Sequence, residues 1–235
     1  MAQADIQEAT VIWDFNGTIL DDFGLCLRSV NQMLERRGLA ALSPEKYLEI
    51  FDFPVQDYYR RAGFDFTADP FTELADEYIA LYQPASFACP LRRGIRDALA
   101  FFREQGIRQI LLSASRRDLL QDQIRHFGLS GFFADLIGQD DILGRSKLAL
   151  ARDWFSGKPF QPARTVLIGD TTHDFAVASD LGCRCLLLSG GHNSRQRLLE
   201  TGAGVLNEPA ELIWHIVQDG LLISGNLLKS KDKDT

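Results

Sequence analysis

The sequence predicts an α/β protein, a parallel sheet covered by helices, with an all-helical segment inserted after the first strand. Three observations carry that prediction. Short apolar runs alternate with longer amphipathic ones along most of the chain, the rhythm of β-α-β units. The apolar runs are continuous rather than alternating, as strands are when helices cover both faces of a sheet. Residues 23–85 lose the rhythm and carry helical spacing only.

The elements follow in order. TVIWD at 10–14 reads as the first strand. The patterns LCLRSVNQMLERRG, PEKYLEIF, VQDYYRRAG and FTELADEYIALYQ then read as helices, punctuated by Pro44, Pro54, Pro70 and Pro84. The rhythm returns with RDALAFFREQ (helix), IRQILLS (strand), LLQDQIRHF (helix), FFADLIG (strand) and KLALARDWF (helix). It continues through RTVLIGD (strand), FAVASDLG (helix), CRCLLLS (strand) and RQRLLE (helix). The expected organisation is therefore a sheet core of residues 1–22 and 86–235 with a helical cap of residues 23–85. The polar C-terminal stretch GNLLKSKDKDT is expected to fray.

Composition narrows the function classes. The chain has 235 residues, of which 46% are hydrophobic, enough for one large core plus a satellite. A formal net charge of -7 argues against a nucleic-acid or anionic-membrane surface. Cys26, Cys89, Cys183 and Cys185 form no C-x-x-C pair and read as core thiols of a reducing compartment. No apolar run reaches the roughly eighteen residues of a membrane span, and MAQADIQEA lacks the basic flank and apolar segment of a secretory leader. A cytoplasmic location is expected. Oligomeric state is not written in the sequence.

Ligands of open parallel sheets gather at the carboxyl ends of the strands. Three expected strand ends carry suitable groups: Asp14, Ser113, and Gly169 with Asp170. Asp14 is followed by Asn16-Gly17, itself a turn signal. GDTTHD adds Asp174, four residues after Asp170, although an acid there also reads as an N-terminal helix residue. Carboxylates gathered at strand ends repel one another unless a cation sits between them. Asp14, Asp170 and Asp174 make a hard oxygen set suited to magnesium. Ser113 in LLSAS offers a hydroxyl and neighbouring backbone amides to a phosphoryl oxygen, or simply caps a helix. Lys147 in GRSKLALA offers a positive charge, or is a solvated helix-start lysine.

Taken together, Asp14 with Gly17 and Thr18, then Ser113, then Lys147, then Gly169-Asp170 with Asp174 resemble the four ordered motifs of the haloacid dehalogenase superfamily. The pattern is most similar to its phosphoglycolate phosphatase-like hydrolases, and it covers nearly the whole chain. The resemblance implies a Rossmann-like core and a two-step phosphoryl transfer in which Asp14 is the nucleophile. It implies magnesium held by Asp14, the main-chain carbonyl of Asn16 and Asp170, with Asp174 a ligand or the holder of a bound water. It implies a phosphoryl site of Phe15, Asn16, Ser113, Ala114 and Lys147, on which a small phosphorylated metabolite would react. The cap would close over the site.

One residue departs from the pattern. Superfamily phosphatases usually carry Asp where this chain has Asn16, and that Asp exchanges protons with the leaving group and the attacking water. Such help is worth about two to four orders of magnitude in rate. Three explanations compete. The substrate needs little protonation or borrows another acid, with His173 and His192 as candidates that also read as surface residues. Or the chemistry is that of a dehalogenase or phosphonate hydrolase, but a dehalogenase needs no metal and a phosphonate hydrolase needs a cap lysine, for which only Lys46 is present. Or the domain is a non-hydrolysing sensor of metal or phosphate. Asn followed by Gly also deamidates readily, which would restore the acid.

In the cap, FDFPVQ at 51–56 is expected to reach over the mouth, with Pro54 stiffening it. Phe51, Phe53, Tyr58 and Tyr59 read mostly as cap core. Arg28 and Arg60 either steer a second anionic group or are solvated. SGGHNSRQR at 189–197 reads as a loop between strand and helix, with its glycines and Ser194 as candidate pocket lining. Phosphoglycolate and small sugar phosphates are the expected substrates.

Overall fold

The structure, a computed structural model, describes residues 9–140, 147–158 and 160–218. Residues 1–8, residues 141–146 before Lys147 and the charged C-terminal tail lie outside the described residues.

The core is a six-stranded parallel sheet. Its strands are β1 (Thr10–Trp13), β2 (Arg108–Arg116), β3 (Asp135–Gln139), β4 (Thr165–Gly169), β5 (Arg184–Leu188) and β6 (Gly204–Leu206). They lie in the order β3-β2-β1-β4-β5-β6. The order reverses beside β1, so β1 and β4 are neighbours in register although far apart in sequence, with Thr10 opposite Thr165 and Trp13 opposite Ile168. That reversal is where open sheets leave a crevice at their carboxyl ends.

Side chains alternate across β1. Val11 and Trp13 face one layer, where α5 (Ile95–Glu104), α6 (Arg117–His126) and α10 (Ala210–Gln218) bring Leu99, Phe102, Leu120, Leu212 and Ile216. Ile12 faces the other, against α7 (Lys147–Phe155) and α8 (Thr172–Leu181), with Leu150, Ala151 and Val177. All four residues of β1 are buried, which is why the strand reads as an unbroken apolar run. Trp13 keeps its indole N–H satisfied in this core by donating to Gln109 at 2.9 Å.

Between β1 and α5 lie α1 (Phe23–Glu35), α2 (Pro44–Ile50), α3 (Val55–Ala62) and α4 (Phe71–Ser86). They bury a core of their own, with Val30, Met33, Leu34, Tyr47, Tyr58, Tyr59 and Leu74 at its centre. Pro44 takes the first turn of α2, where its missing N–H costs nothing, and Ser43 caps the same helix. Pro54 and Pro70 stand directly before α3 and α4. Pro84 does not end a helix as the sequence suggests. It lies inside α4, which runs on to Ser86.

The two chain segments that lead into and out of these helices run side by side. Asp21 N–H donates to Pro90 O at 2.9 Å, Arg92 N–H donates to Ile19 O at 2.9 Å, and Leu20 bridges antiparallel to Leu91.

Three sequence expectations change here. β2 does not stop near Ser113 but continues to Arg116, with an irregular register against β3 after Leu112. The segments GVL and AELIWHIVQ form β6 and α10, which the apolar rhythm left unassigned. Cys183 precedes β5, and Cys183 and Cys185 are only partly buried, while Cys26 is buried and all four thiols are free.

Candidate active site

Asp14 is the first residue beyond β1, and its N–H still pairs with Ile168 O of β4 at 2.9 Å, so its side chain is aimed by the sheet itself. The residue is 6% exposed. Lys147, on the first residue of α7, places Nζ 2.5 Å from Asp14 Oδ1 and 2.6 Å from Asp174 Oδ1. The lysine is buried, not the solvated helix-start residue it also resembled.

Asp170 follows β4 and is fully buried, accepting from Thr18 Oγ1 at 2.8 Å and from the His192 N–H at 2.6 Å. Asp174 belongs to the capping box of α8. Its Oδ2 accepts from the Thr171 N–H and hydroxyl at 3.0 and 2.6 Å, while its Oδ1 faces Lys147. Oxygens of Asp14, Asp170 and Asp174 come within 4.8 Å of one another.

Glycines permit this crowding. A Cβ on Gly17, which sits at φ 72°, would overlap the Asp170 carboxylate and the His192 ring, and one on Gly191 would overlap Asp170 again.

The charge balance is uneven. Burial, opposed by Lys147 and reinforced by Asp174 and Asp170, raises Asp14 well above the usual carboxylate range. Burial and Asp174 also raise Asp170, against the influence of His192. Asp174 is held low despite burial, because Lys147 and the Thr171 hydroxyl favour its charged form. Lys147 itself is raised by its two carboxylates in spite of burial. Three buried carboxylates against one ammonium leave the cluster short of positive charge, and its hard oxygens fit a magnesium ion.

Ser113 is buried on β2, and its Oγ accepts from the Ser115 N–H at 3.1 Å. Ala114 lies between them and is partly exposed. Phe15 buries its ring in the sheet core, so only its main chain is free to serve a ligand, and its carbonyl already accepts from Ile19 and Leu20.

Asn16 is tied down at both ends of its amide. Nδ2 donates to Asp22 Oδ2 at 2.7 Å and to Tyr82 OH at 2.6 Å, and Oδ1 accepts from Ser115 Oγ at 3.0 Å.

The helical segment α1–α4, the expected cap, reaches this region through several contacts. Tyr82 of α4 donates to Asp22 at 2.6 Å, and Tyr47 of α2 meets His192 Nδ1 at 3.0 Å. Arg197 of α9 (Arg195–Glu200) donates to the carbonyls of Leu48 and Phe51 at the end of α2, at 3.0 and 2.7 Å. Phe53 stacks on His173 at 4.6 Å. Tyr58 and Tyr59 are cap core, whereas Phe51 and Phe53 sit against core histidines.

His192 is not a surface residue. It is 3% exposed, with Nε2 3.2 Å from Asp22 and Nδ1 on Tyr47, so neither ring nitrogen is free to meet a substrate. The loop that holds it is no plain connection: Asn193 accepts from the Thr172 N–H at 2.9 Å, and Ser194 caps α9. His173 has a buried Nε2 without a partner, and burial and Lys147 lower its pKa. Lys46 is exposed on α2 and pairs with Glu49, and Arg60 is exposed and pairs with Asp57. Arg28 is exposed as well.

Comparison with known proteins accords with this geometry. Residues 11–188 match the family model described as haloacid dehalogenase-like hydrolase. The chain belongs to that family. This hydrolase is 23% identical over 214 residues to the phosphoglycolate phosphatase of Synechococcus elongatus, covering 88% of this chain and 97% of that one. It is 25% identical over 205 residues to the tyrosine-protein kinase PtkA of Mycobacterium tuberculosis, covering 86% and 69% respectively. Among solved structures it is similar in fold to a predicted phosphatase from Clostridium acetobutylicum, with a TM-score of 0.78 at 18% identity over 90% of this chain and 99% of the other.

The sequence did not single out Asp22, Tyr47, Tyr82 or Ser115. Asp22 was visible in DFNGTILDD, but nothing local distinguishes it from Asp21, which is exposed.

Proposed function

We propose that this hydrolase is a magnesium-dependent phosphatase acting on small-molecule phosphate monoesters through a phosphoaspartyl intermediate. The observation that supports it most is the meeting, at the carboxyl ends of β1 and β4, of the Asp14 carboxylate, the Lys147 ammonium 2.5 Å away and the carboxylates of Asp170 and Asp174. Asp14, the main-chain carbonyl of Asn16 and Asp170 would hold the ion, with Asp174 a further ligand or the holder of a bound water. When bound, the ion supplies charge neutralisation for the phosphoryl oxygens.

An Asp14 oxygen bonds to phosphorus as the ester oxygen departs with the bonding pair. Water then attacks phosphorus, and the Asp14–phosphorus bond breaks to release phosphate and restore the carboxylate. Ser113, the main chain of Phe15, Asn16 and Ala114, and Lys147 orient the phosphoryl group, and Lys147 offsets its charge. The cap restricts water during the first step.

An amide at 16 transfers no proton, so the ester oxygen departs as its anion and takes a proton from solvent only after release, which favours substrates with acidic leaving groups. Phosphoglycolate, the substrate named for the Synechococcus relative, and small sugar phosphates are the first metabolites to test. The net charge of -7 supports a small substrate rather than nucleic acid, and four free thiols support a reducing, cytoplasmic setting. Exposed Lys46, paired with Glu49, gives no support to imine chemistry on phosphonates.

Phosphate release from a panel of aryl and alkyl esters, with magnesium and with chelator, tests the reading beside Asp14→Asn. Metal-dependent release that rises with leaving-group acidity and vanishes in the variant is expected. Absence of turnover on every ester, with metal binding retained, would instead mark a sensor.

A further inference from the structure

Asp22 is buried at 0% exposure and carries more hydrogen bonds than any role of its own in the proposed reaction requires. Its Oδ1 accepts from the Gly17 N–H at 2.8 Å and lies 3.2 Å from His192 Nε2. Its Oδ2 accepts from Asn16 Nδ2 at 2.7 Å and from Tyr82 OH at 2.6 Å. Asn16 answers with both ends of its amide, donating to Asp22 and accepting from Ser115.

A carboxylate at 16 could accept from Ser115 but has nothing to donate to Asp22. Two carboxylate oxygens would then face each other at hydrogen-bond distance in a buried pocket, where like charges cannot both be sustained. The departure of residue 16 from the family pattern therefore has a partner six positions on.

We propose that Asn16 and Asp22 are a matched amide–carboxylate pair, in which Asp22 is the positioning residue that fixes the Asn16–Gly17 loop and joins it to the cap through Tyr82 and His192. Each arm of the network comes from a different part of the fold. Asn16 and Gly17 belong to the loop that follows Asp14, Tyr82 to α4, and His192 to the loop after β5, where Tyr47 of α2 holds it in turn. A shift of the cap reaches the main chain beside the nucleophile through two short steps.

The structural half of this inference is independent of the reaction, and its catalytic half rests on the phosphatase reading. Both are tested by a double-mutant cycle of wild type, Asn16→Asp, Asp22→Asn and the exchanged pair N16D/D22N, read by melting temperature and by release of p-nitrophenol from its phosphate ester with magnesium. N16D is expected to melt lower than wild type and to lose about tenfold or more in kcat, the size of coupling found between contacting groups. The exchanged pair puts one amide against one carboxylate again and is expected to regain most of both losses. A general loss of packing would not be repaired by a second substitution.

If N16D melts and turns over like wild type or better, or if the exchanged pair is no better than N16D, the pairing is wrong. If wild type hydrolyses no ester, the phosphatase reading falls and the melting cycle alone judges the pair.

A measurement on the unmutated protein covers the case in which the single variants do not fold. Deamidation of Asn16 requires the Gly17 nitrogen to bond to the side-chain Cγ, with ammonia leaving and water opening the resulting imide. Asp22 holds both the attacking nitrogen and the amide. Peptide mapping of aged wild-type protein should show Asn16 intact while the free peptide DFNGT deamidates. Equal rates would overturn the inference.

Discussion

Single side chains carry the site's charge, and Lys147 supplies the ammonium that opposes its carboxylates. Its ammonium lies between Asp14 and Asp174 in a buried position, so Lys147→Met would leave two carboxylates facing each other without a counter-charge. Removing one partner of a buried ion pair costs about 3–5 kcal/mol. The variant is expected to lose catalysis and to melt at a lower temperature, and magnesium should recover part of the melting loss, because a divalent ion replaces some of the missing charge. Gly17→Ala tests the close approach beside Asp170. The positive φ and the overlap with the Asp170 carboxylate predict a folded but inactive protein, or one that does not accumulate, checked by circular dichroism and phosphate release. Five residues of the candidate site, Asp14, Ser113, Lys147, Asp170 and Asp174, were legible as polar groups at strand ends or helix starts. Asp22 and Tyr82 were not, and His192 was legible as a candidate acid or surface residue but not as the partner of Asp22. Their bonds join residues 60 and 170 positions apart, and no local spacing reports a contact at that range.

At the scale of elements, the cap is docked by a few polar and aromatic contacts rather than by continuous packing with the sheet. Arg197 is the most concentrated of them, donating to the carbonyls of Leu48 and Phe51 and pairing with Asp52 at 3.3 Å. These carbonyls end α2, where a helix presents partial negative charge. Arg197→Ala is expected to leave the sheet intact and to speed amide hydrogen exchange in residues 44–51 by about tenfold or more, since bonds to a charged donor are worth roughly 1.5–3 kcal/mol. Exchange mass spectrometry checks this, and unchanged protection there would show that Arg197 does not hold the helix. The longer elements were legible because their periodicity is long. Three residues of β6 offer too short an apolar run to stand out, and Pro84 misled because α4 tolerates it near its last turn.

The whole molecule responds to pH through the Asp22–His192 pair beneath the cap. Burial alone would lower His192, but the charge and hydrogen bond of Asp22, helped by Asp170 and Asp14, push it up to about 9 from an ordinary 6.5. Asp22 is held below its ordinary 3.8 by His192, Tyr82 and Asn16 against the effect of burial. A raised histidine stabilises the fold fully below 6.5 and loses that contribution as pH climbs through 9. The lowered aspartate stabilises above 3.8 and is lost as pH falls below it. The metal-free protein should therefore melt at progressively lower temperature from pH 6.5 to 9.5, and His192→Gln should flatten that slope. Equal slopes in the two proteins would show that the pair does not set it.

The side-by-side segments at 19–21 and 90–92 bear on how the cap tolerates a change of length. The chain enters and leaves the cap through a narrow doorway, where the Asp21 N–H donates to the Pro90 carbonyl. Because its two ends lie side by side, the segment between them can change length without moving the elements it joins. A loop lengthened within the cap, away from Tyr47 and Tyr82, is therefore expected to leave the end of β1 and the start of α5 in place.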